Sequence, residues 1–102
     1  MEEQLKRGVL EMCVLSLLSH HNYHGYKMAK EIRALFPEVT ESTVYGILRR
    51  LHADGSVDVF FETNQNSPNR KYYKINEQGK KMLSSAISMW LRIAHIVEDI
   101  CL

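Results

Sequence analysis

The chain has 102 residues, of which 45% are hydrophobic and 25% charged, and its formal net charge is +1. This length and composition predict one ordinary globular domain and exclude a disordered tail. A signal peptide is not expected, since Met1 is not followed by a basic start and an apolar run, and no apolar stretch is long enough to span a membrane. Cys13 and Cys101 lie in apolar contexts, which predicts two buried thiols in a cytoplasmic protein.

The first predicted helix covers residues 5–18, and its second half is apolar almost all round. Because a small domain can hardly cover such a helix alone, this pattern favours contact with a second chain. A loop with three histidines follows at 20–24. No cysteine or carboxylate stands beside these histidines, so we expect neither a metal site nor a cofactor.

The second helix is expected to begin at Gly25 and to end before Pro37. Apolar residues at spacings of three and four predict the stripe that it turns towards the core. The members of this stripe are Tyr26, Met28, Ala29, Ile32, Leu35 and Phe36.

The third helix is predicted over 42–54, with Thr40 or Ser42 as its N-cap and Gly55 as its left-handed end. Its expected core face consists of Val44, Ile47, Leu48 and Leu51. The opposite face is small, polar and basic, and it carries Gly46 at its centre. An interior glycine costs a helix roughly 1 kcal/mol relative to alanine, so its presence indicates a need for open space on that face or relief of crowding inside the domain. Its position opposite the core face favours the first explanation.

Two β-type runs, 57–62 and 70–75, are separated by a turn-rich segment over 63–69, which predicts a hairpin. Residues 64–81 carry five basic side chains against Glu77, a net charge of +4 in an otherwise nearly neutral chain. Such a patch suits contact with an anionic partner, although an ordinary solvated surface can carry the same run of charges.

Asn76 is the expected cap of a last helix that continues towards the C-terminus. Its apolar residues follow a heptad pattern that is too broad for one neighbouring helix, so we expect it to contact both its own domain and a second copy of the chain. The residues predicted at the interface between the two copies are Leu83, Trp90, Ile93, Val97 and Ile100.

This order of elements predicts a mostly α-helical fold with a small β-hairpin, namely a winged helix-turn-helix over 1–75 and a dimerisation helix over 76–102. In that fold the third helix enters the DNA major groove and the hairpin, or wing, lies on flanking DNA. Gly46 would let the helix axis approach the bases. The predicted DNA contacts are Ser42, Thr43, Tyr45, Gly46, Arg49 and Arg50 on the helix and Asn69, Arg70, Lys71 and Tyr72 on the wing.

Two other classes of function compete with DNA binding. A winged-helix protein-interaction module would explain the low net charge and the wide apolar last helix, but the arginines of the third helix and the wing argue against it. An enzyme is not expected, because no paired carboxylates, nucleophile–base set, phosphate-binding glycine loop or metal-ligand spacing is visible.

Three blocks of the sequence resemble the PadR family of bacterial transcription regulators: LEMCVLSLL with HGYKMA, STVYGILRRLHADG, and NRKYYKINEQG. The resemblance covers essentially the whole chain and implies a homodimeric repressor that binds inverted repeats in DNA and releases them when a small molecule binds. It places Tyr45, Arg49 and Arg50 on the recognition helix. The sequence departs from the family at Gly46, where proline is common, and at the wing tip, which lacks the usual glycines.

The resemblance also concerns Trp90, because multidrug-binding members of the family carry a tryptophan from each subunit that sandwiches flat aromatic compounds. It implies an effector pocket at the dimer centre, which the polar Ser16 on an apolar helix would suit. The alternative is that Trp90 only anchors the dimer core. The residues implied for the pocket are Met12, Ser16, Ala86, Ile87, Trp90 and Ala94.

Overall fold

The computed structural model describes residues 2–64 and 66–102, so Gln65 of the predicted turn lies outside the described residues. The helices are α1 (Glu2–His20), α2 (Gly25–Leu35), α3 (Glu41–Ala53) and α4 (Glu77–Cys101), and the strands are β1 (Tyr23–His24), β2 (Val57–Asn64) and β3 (Ser67–Ile75). The predicted class, mostly helical with a hairpin wing and a long last helix, is confirmed.

One hydrophobic core joins the first three helices to the sheet and to the start of α4. The core face predicted for α3 is confirmed, because all four of its residues are buried. Burial of apolar side chains is the main stabilising term of such a fold. The buried apolar side chains include Leu10, Val14, Leu15, Leu18, Met28, Ile32, Val44, Ile47, Leu48, Leu51, Val57, Tyr73, Ile75 and Leu83.

The sheet has three antiparallel strands in the order β1-β3-β2. The hairpin of β2 and β3 pairs as far as Asn64 and Ser67, so it is longer than the two runs that the sequence indicated. Strand β1 was not predicted, since two residues are too few to show an alternating pattern. It pairs Tyr23 with Tyr73 and joins the start of α2 to the wing.

The predicted caps of α3 and α4 and the left-handed end of α3 are confirmed by hydrogen bonds and backbone angles, whereas α1 extends beyond the predicted 5–18 at both ends. The Thr43 backbone N–H donates to the Thr40 side-chain oxygen over 3.2 Å, which identifies Thr40 as the N-cap of α3. The Gly79 N–H donates to the Asn76 side chain over 2.9 Å at the start of α4. Gly55 has φ = 82°, the left-handed conformation that favours glycine after a helix.

Three side chains predicted to be buried are exposed. Tyr26 and Leu35 were expected to face inward, but 62% and 64% of their surfaces remain accessible. Around the helix axis, Tyr26 lies about a third of a turn away from the buried Ile32, and Leu35 lies in the last turn of α2. Cys101, at the end of α4, is also exposed, whereas Cys13 is half-buried against the core.

Helix α4 leaves the core soon after it begins. Only Gly79 and Leu83 are buried along it, so Leu83 lies in the core of its own chain, not on the surface predicted to face a second copy. The molecule is accordingly elongated, 57 × 30 × 21 Å. The exposed apolar side chains of α4 are Met82, Ile87, Met89, Trp90, Leu91, Ile93, Ile96, Val97 and Ile100.

Candidate nucleic-acid interface

The exposed face of α3 presents small and basic side chains to solvent. Ser42 and Arg49 are exposed, as the helical projection predicted. Thr43 is exposed too, but its hydroxyl lies 3.1 Å from that of Thr40 and is hydrogen-bonded to it. Ser42 and the first-turn backbone therefore offer hydrogen-bonding groups at the helix start, and Arg49 supplies a charge two turns later.

Gly46 lies in the middle of this face, with open space beside it. A Cβ atom placed there would meet only the Arg49 guanidinium, with Nη2 at 3.8 Å. Crowding within the chain therefore does not explain the glycine. The backbone of α3 is left accessible on this face.

Arg50 is turned away from that face, towards α1. Its guanidinium forms an ion pair with the Glu11 carboxylate, and both side chains are partly buried. The sequence placed Arg50 on the flank of α3 without indicating this partner. Of the two adjacent arginines, Arg49 projects into solvent, and Arg50 could reach DNA only by leaving Glu11.

Tyr45 occupies the opposite flank and packs onto the start of α2. Its ring lies so close to Gly25 that a Cβ at this glycine would overlap the Tyr45 Cε1 atom. Burial raises the pKa of the Tyr45 hydroxyl, and the nearby Glu41 carboxylate adds to the shift. Tyr45 thus connects the two helices, and only part of its surface remains available to a partner.

On the wing, Asn69, Arg70 and Lys71 are exposed and Tyr72 is half-buried. Successive side chains of a strand point to opposite faces, so Arg70 and Lys71 lie on different sides of β3. Lys71 shares its side with Tyr73, whose ring centroid lies 5.5 Å from the Lys71 Nζ atom. The basic patch is therefore divided between the two faces of the hairpin.

The Arg70 face of the wing meets the start of α2 at His24, a residue that the sequence left in a loop. The Arg70 Nη1 atom lies 3.2 Å from the His24 Nε2 atom. The rings of His24 and Phe60 flank that of Tyr72, at centroid distances of 5.5 Å and 5.4 Å. Partial burial, followed by the charges of Arg70 and Lys27, lowers the pKa of His24, which favours a neutral imidazole.

A cleft of about 680 Å³ separates the beginning of α1 from α3, and Gly46 and Arg50 line part of it. Two exposed cations of α1, Lys6 and Arg7, stand at its edge, and the Lys6 Nζ atom lies 3.8 Å from a Glu38 carboxylate oxygen. Sequence reasoning did not assign these cations, because acidic and basic residues balance over 1–39. The fold thus places Lys6 and Arg7 of α1 across the cleft from α3.

The residues implied for an effector pocket lie on α1 and α4, two helices that pack together. Ile87 and Trp90 are exposed, with 46% of the Trp90 surface accessible in the single chain. The other four, Met12, Ser16, Ala86 and Ala94, are half-buried.

Within 2–64 and 66–102, no group of histidine, cysteine, aspartate or glutamate side chains is arranged to hold a metal ion. Of the helices that the structure describes, none combines the length and apolarity of a membrane span.

Comparison with known proteins identifies relatives of this chain. Residues 14–85 match the Transcriptional regulator PadR-like family. A Streptococcus transcriptional regulator is similar in structure, with 28% identity, 95% of this chain and 96% of that chain covered, and a TM-score of 0.87. A PadR-like transcriptional regulator from Bacillus cereus has 26% identity, 95% coverage of each chain and a TM-score of 0.84. A PadR family transcriptional regulator from Eggerthella lenta has 29% identity, coverage of 98% and 88%, and a TM-score of 0.82.

Proposed function

Because the chain belongs to the PadR-like family of transcriptional regulators, we propose that it binds double-stranded DNA at an inverted repeat as a homodimer. In this proposal it represses the genes that it controls and is released from DNA by a small hydrophobic or aromatic ligand. The chain acts as a regulator of transcription, as its family does, and not as an enzyme.

One observation supports the proposed DNA contact most directly. Gly46 leaves the backbone of α3 open on the face that carries the exposed Arg49, and this opening has no use inside the chain. A recognition helix needs such a surface, since its axis must come close to the base edges of the major groove. Arg49 is the side chain that we assign to a base edge or to a neighbouring phosphate.

The remaining contacts follow from the positions of the other side chains. Ser42 and Thr43 meet phosphates at the start of α3, and Asn69, Arg70, Lys71 and Tyr72 meet the DNA that flanks the groove. Arg50 joins them when it exchanges Glu11 for a phosphate. Tyr45 contacts DNA through the edge of its ring and keeps α3 in place against α2.

The homodimer is supported by the apolar surface of α4. Exposed apolar side chains continue from Ile87 to Ile100, and a surface of this extent is characteristic of a protein interface. A second copy of the same helix supplies a matching heptad surface, and twofold pairing would present two α3 helices to the two halves of an inverted repeat. In this proposal the interface is formed by Trp90, Ile93, Val97 and Ile100.

The proposed effector site lies where α1 and α4 of the two copies meet. Trp90 offers an apolar ring surface that its own chain leaves nearly half exposed. Two such rings related by a twofold axis suit a flat aromatic ligand. Met12, Ser16, Ala86, Ile87 and Ala94 complete the proposed lining.

The experiment that tests the proposal measures binding of the full chain to its own upstream DNA by electrophoretic mobility shift as salt is raised. We expect a retarded complex whose affinity falls steeply with salt, because several phosphates are contacted. Arg49→Gln should weaken this complex, whereas Arg92→Gln, an exposed arginine on α4, is the matched control. The absence of a retarded band at low salt would contradict DNA binding and favour a protein-interaction module.

A further inference from the structure

The contact between His24 and Arg70 contains a conflict of hydrogen-bonding groups. The Lys27 backbone N–H donates to the His24 Nδ1 atom over 3.2 Å, and this bond caps the start of α2. The other ring nitrogen, Nε2, faces the Arg70 guanidinium, also at 3.2 Å. A neutral imidazole has one acceptor nitrogen, whereas an arginine can only donate. The two contacts therefore cannot both be hydrogen bonds to the same ring.

The magnitudes of the two bonds decide which one the ring makes. A helix N-cap bond contributes about 1 kcal/mol, because it satisfies one of the backbone donors in the first turn of α2. Arg70 is exposed, so water can replace a lost partner at little cost. Nδ1 is thus the acceptor and Nε2 carries the hydrogen. Two donors, the His24 Nε2–H and the Arg70 guanidinium, then face each other.

Two donors in this position can share one acceptor placed between them. The charges that act on the His24 ring are those of Arg70 from β3 and Lys27 from α2, and both are positive. The rings of Tyr26 and Tyr72 lie beside it, and Glu62 of β2 is paired with Arg70 in the sheet register. An anionic oxygen that accepts from both His24 and Arg70 would satisfy both donors and lie in a favourable potential. A phosphate matches this need, because it offers several strong acceptor oxygens.

On the basis of the DNA-binding function proposed above, we infer that His24 and Arg70 together bind one phosphate of the DNA backbone at the junction of α2 and the wing. The His24 Nε2–H and the Arg70 guanidinium donate to the same phosphate, and Lys27 adds its charge. Strand β1 has a role in this arrangement, because its pairing with β3 at His24 and Tyr72 holds the two donors together.

The test compares variants of the full chain on duplex DNA of unrelated sequence, since a phosphate contact does not depend on base sequence. His24→Asn preserves the cap, because asparagine is among the best N-cap residues, but its shorter side chain withdraws the second donor. We expect roughly a fivefold loss of affinity, a thermal midpoint close to that of the original chain, and no change in the salt slope, since neutral His24 carries no charge. His20→Asn, at the exposed end of α1, is the matched control.

A double-mutant cycle tests whether the two residues act on the same phosphate. Arg70→Gln should weaken binding and lower the salt slope by about 1. In the Arg70→Gln background, His24→Asn should have little further effect, because the shared phosphate is no longer held. If the loss of DNA affinity in the double variant equals the product of the two single losses, the inference is overturned. It is also overturned if a folded His24→Asn variant binds DNA with unchanged affinity. If the original chain binds no DNA, the proposed function fails with it, whereas DNA binding that is indifferent to His24→Asn removes the inference alone.

Two further measurements address the tautomer and the source of the phosphate. Nitrogen-15 NMR of the free protein should show His24 with its hydrogen on Nε2, and a hydrogen on Nδ1 would contradict the inference.

DNA affinity is also compared in sodium phosphate and sodium chloride of equal ionic strength. Equal affinities in the two salts support the DNA backbone as the ligand. If millimolar phosphate instead competes strongly with DNA for the original chain but not for the His24→Asn variant, the site binds free phosphate and this assignment is overturned.

Discussion

The guanidinium of Arg50 in α3 is ion-paired with the carboxylate of Glu11 in α1, although the two residues are far apart in sequence. The pair is partly buried, with 32% of the Arg50 side chain and 23% of the Glu11 side chain exposed. Arg49, its neighbour, is exposed. Two adjacent arginines of one helix therefore have different roles, since one joins two helices and the other projects into solvent.

This difference predicts that two matched substitutions affect the free energy of unfolding differently. Arg50→Gln should lower the free energy of unfolding by about 1 kcal/mol, because Glu11 loses its counter-charge in a partly buried place. Arg49→Gln should leave stability within about 0.5 kcal/mol, as is usual for an exposed side chain. Urea unfolding followed by circular dichroism measures both. If Glu11→Gln does not recover part of the stability lost in Arg50→Gln, the ion pair is not the cause.

Gly46→Ala should stabilise the free protein and weaken its binding to DNA. An alanine fits beside Arg49, and it improves helix propensity by up to about 1 kcal/mol. The added methyl group lies on the face proposed to approach the bases, so DNA affinity should fall. Thermal unfolding and a mobility shift on the same preparation measure the two effects. Greater stability with unchanged DNA affinity would show that the open face has another use.

Gly25→Ala should have the opposite effect on stability. Its Cβ would overlap the Tyr45 ring, where Cδ1 is only 3.1 Å from the ideal position. Either the ring or the start of α2 must move, at a cost of about 1–3 kcal/mol. Urea unfolding measures the loss. Tyr45→Ala combined with Gly25→Ala is the control, since removal of the ring should abolish the additional cost of the methyl group.

The buried Tyr23 predicts a loss of stability in alkali. Burial, together with the nearby Glu31 carboxylate, raises the pKa of its hydroxyl from 10.0 to about 12. The unfolded chain therefore releases this proton first, so the contribution of Tyr23 to stability is complete below pH 10 and is lost as the pH rises towards 12. Tyr23→Phe has no such proton. Its unfolding free energy should fall less steeply above pH 10 than that of the original chain, and parallel curves would contradict the assignment.

The apolar surface of α4 predicts that one charged substitution separates the proposed dimer. Ile93→Asp places a carboxylate among Trp90 and Val97 on that surface, where burial by a second chain would leave it without a partner. Light scattering after gel filtration should give the mass of a monomer for this variant and of a dimer for the original chain. Ser88→Asp, on the other side of the same helix, should remain a dimer.

The helices, the core face of α3 and the caps of α3 and α4 could be predicted from the sequence because each depends on residues close together in the chain. The period of the apolar positions fixed the inner face of α3, and the capping residues Thr40 and Asn76 and the terminal Gly55 marked helix ends. The open face at Gly46 could be inferred in the same way, since one helix and its projection were sufficient.

The tertiary structure alone decided which polar groups meet across the fold. The sequence did not indicate that Arg50 faces Glu11 or that His24 faces Arg70, 46 residues further along the chain. Such contacts depend on the packing of whole helices and strands, because an individual exposed polar pair contributes too little energy to determine where its partners lie. Periodicity and capping therefore determined the elements of this protein, whereas the packing of those elements decided how its cations are held.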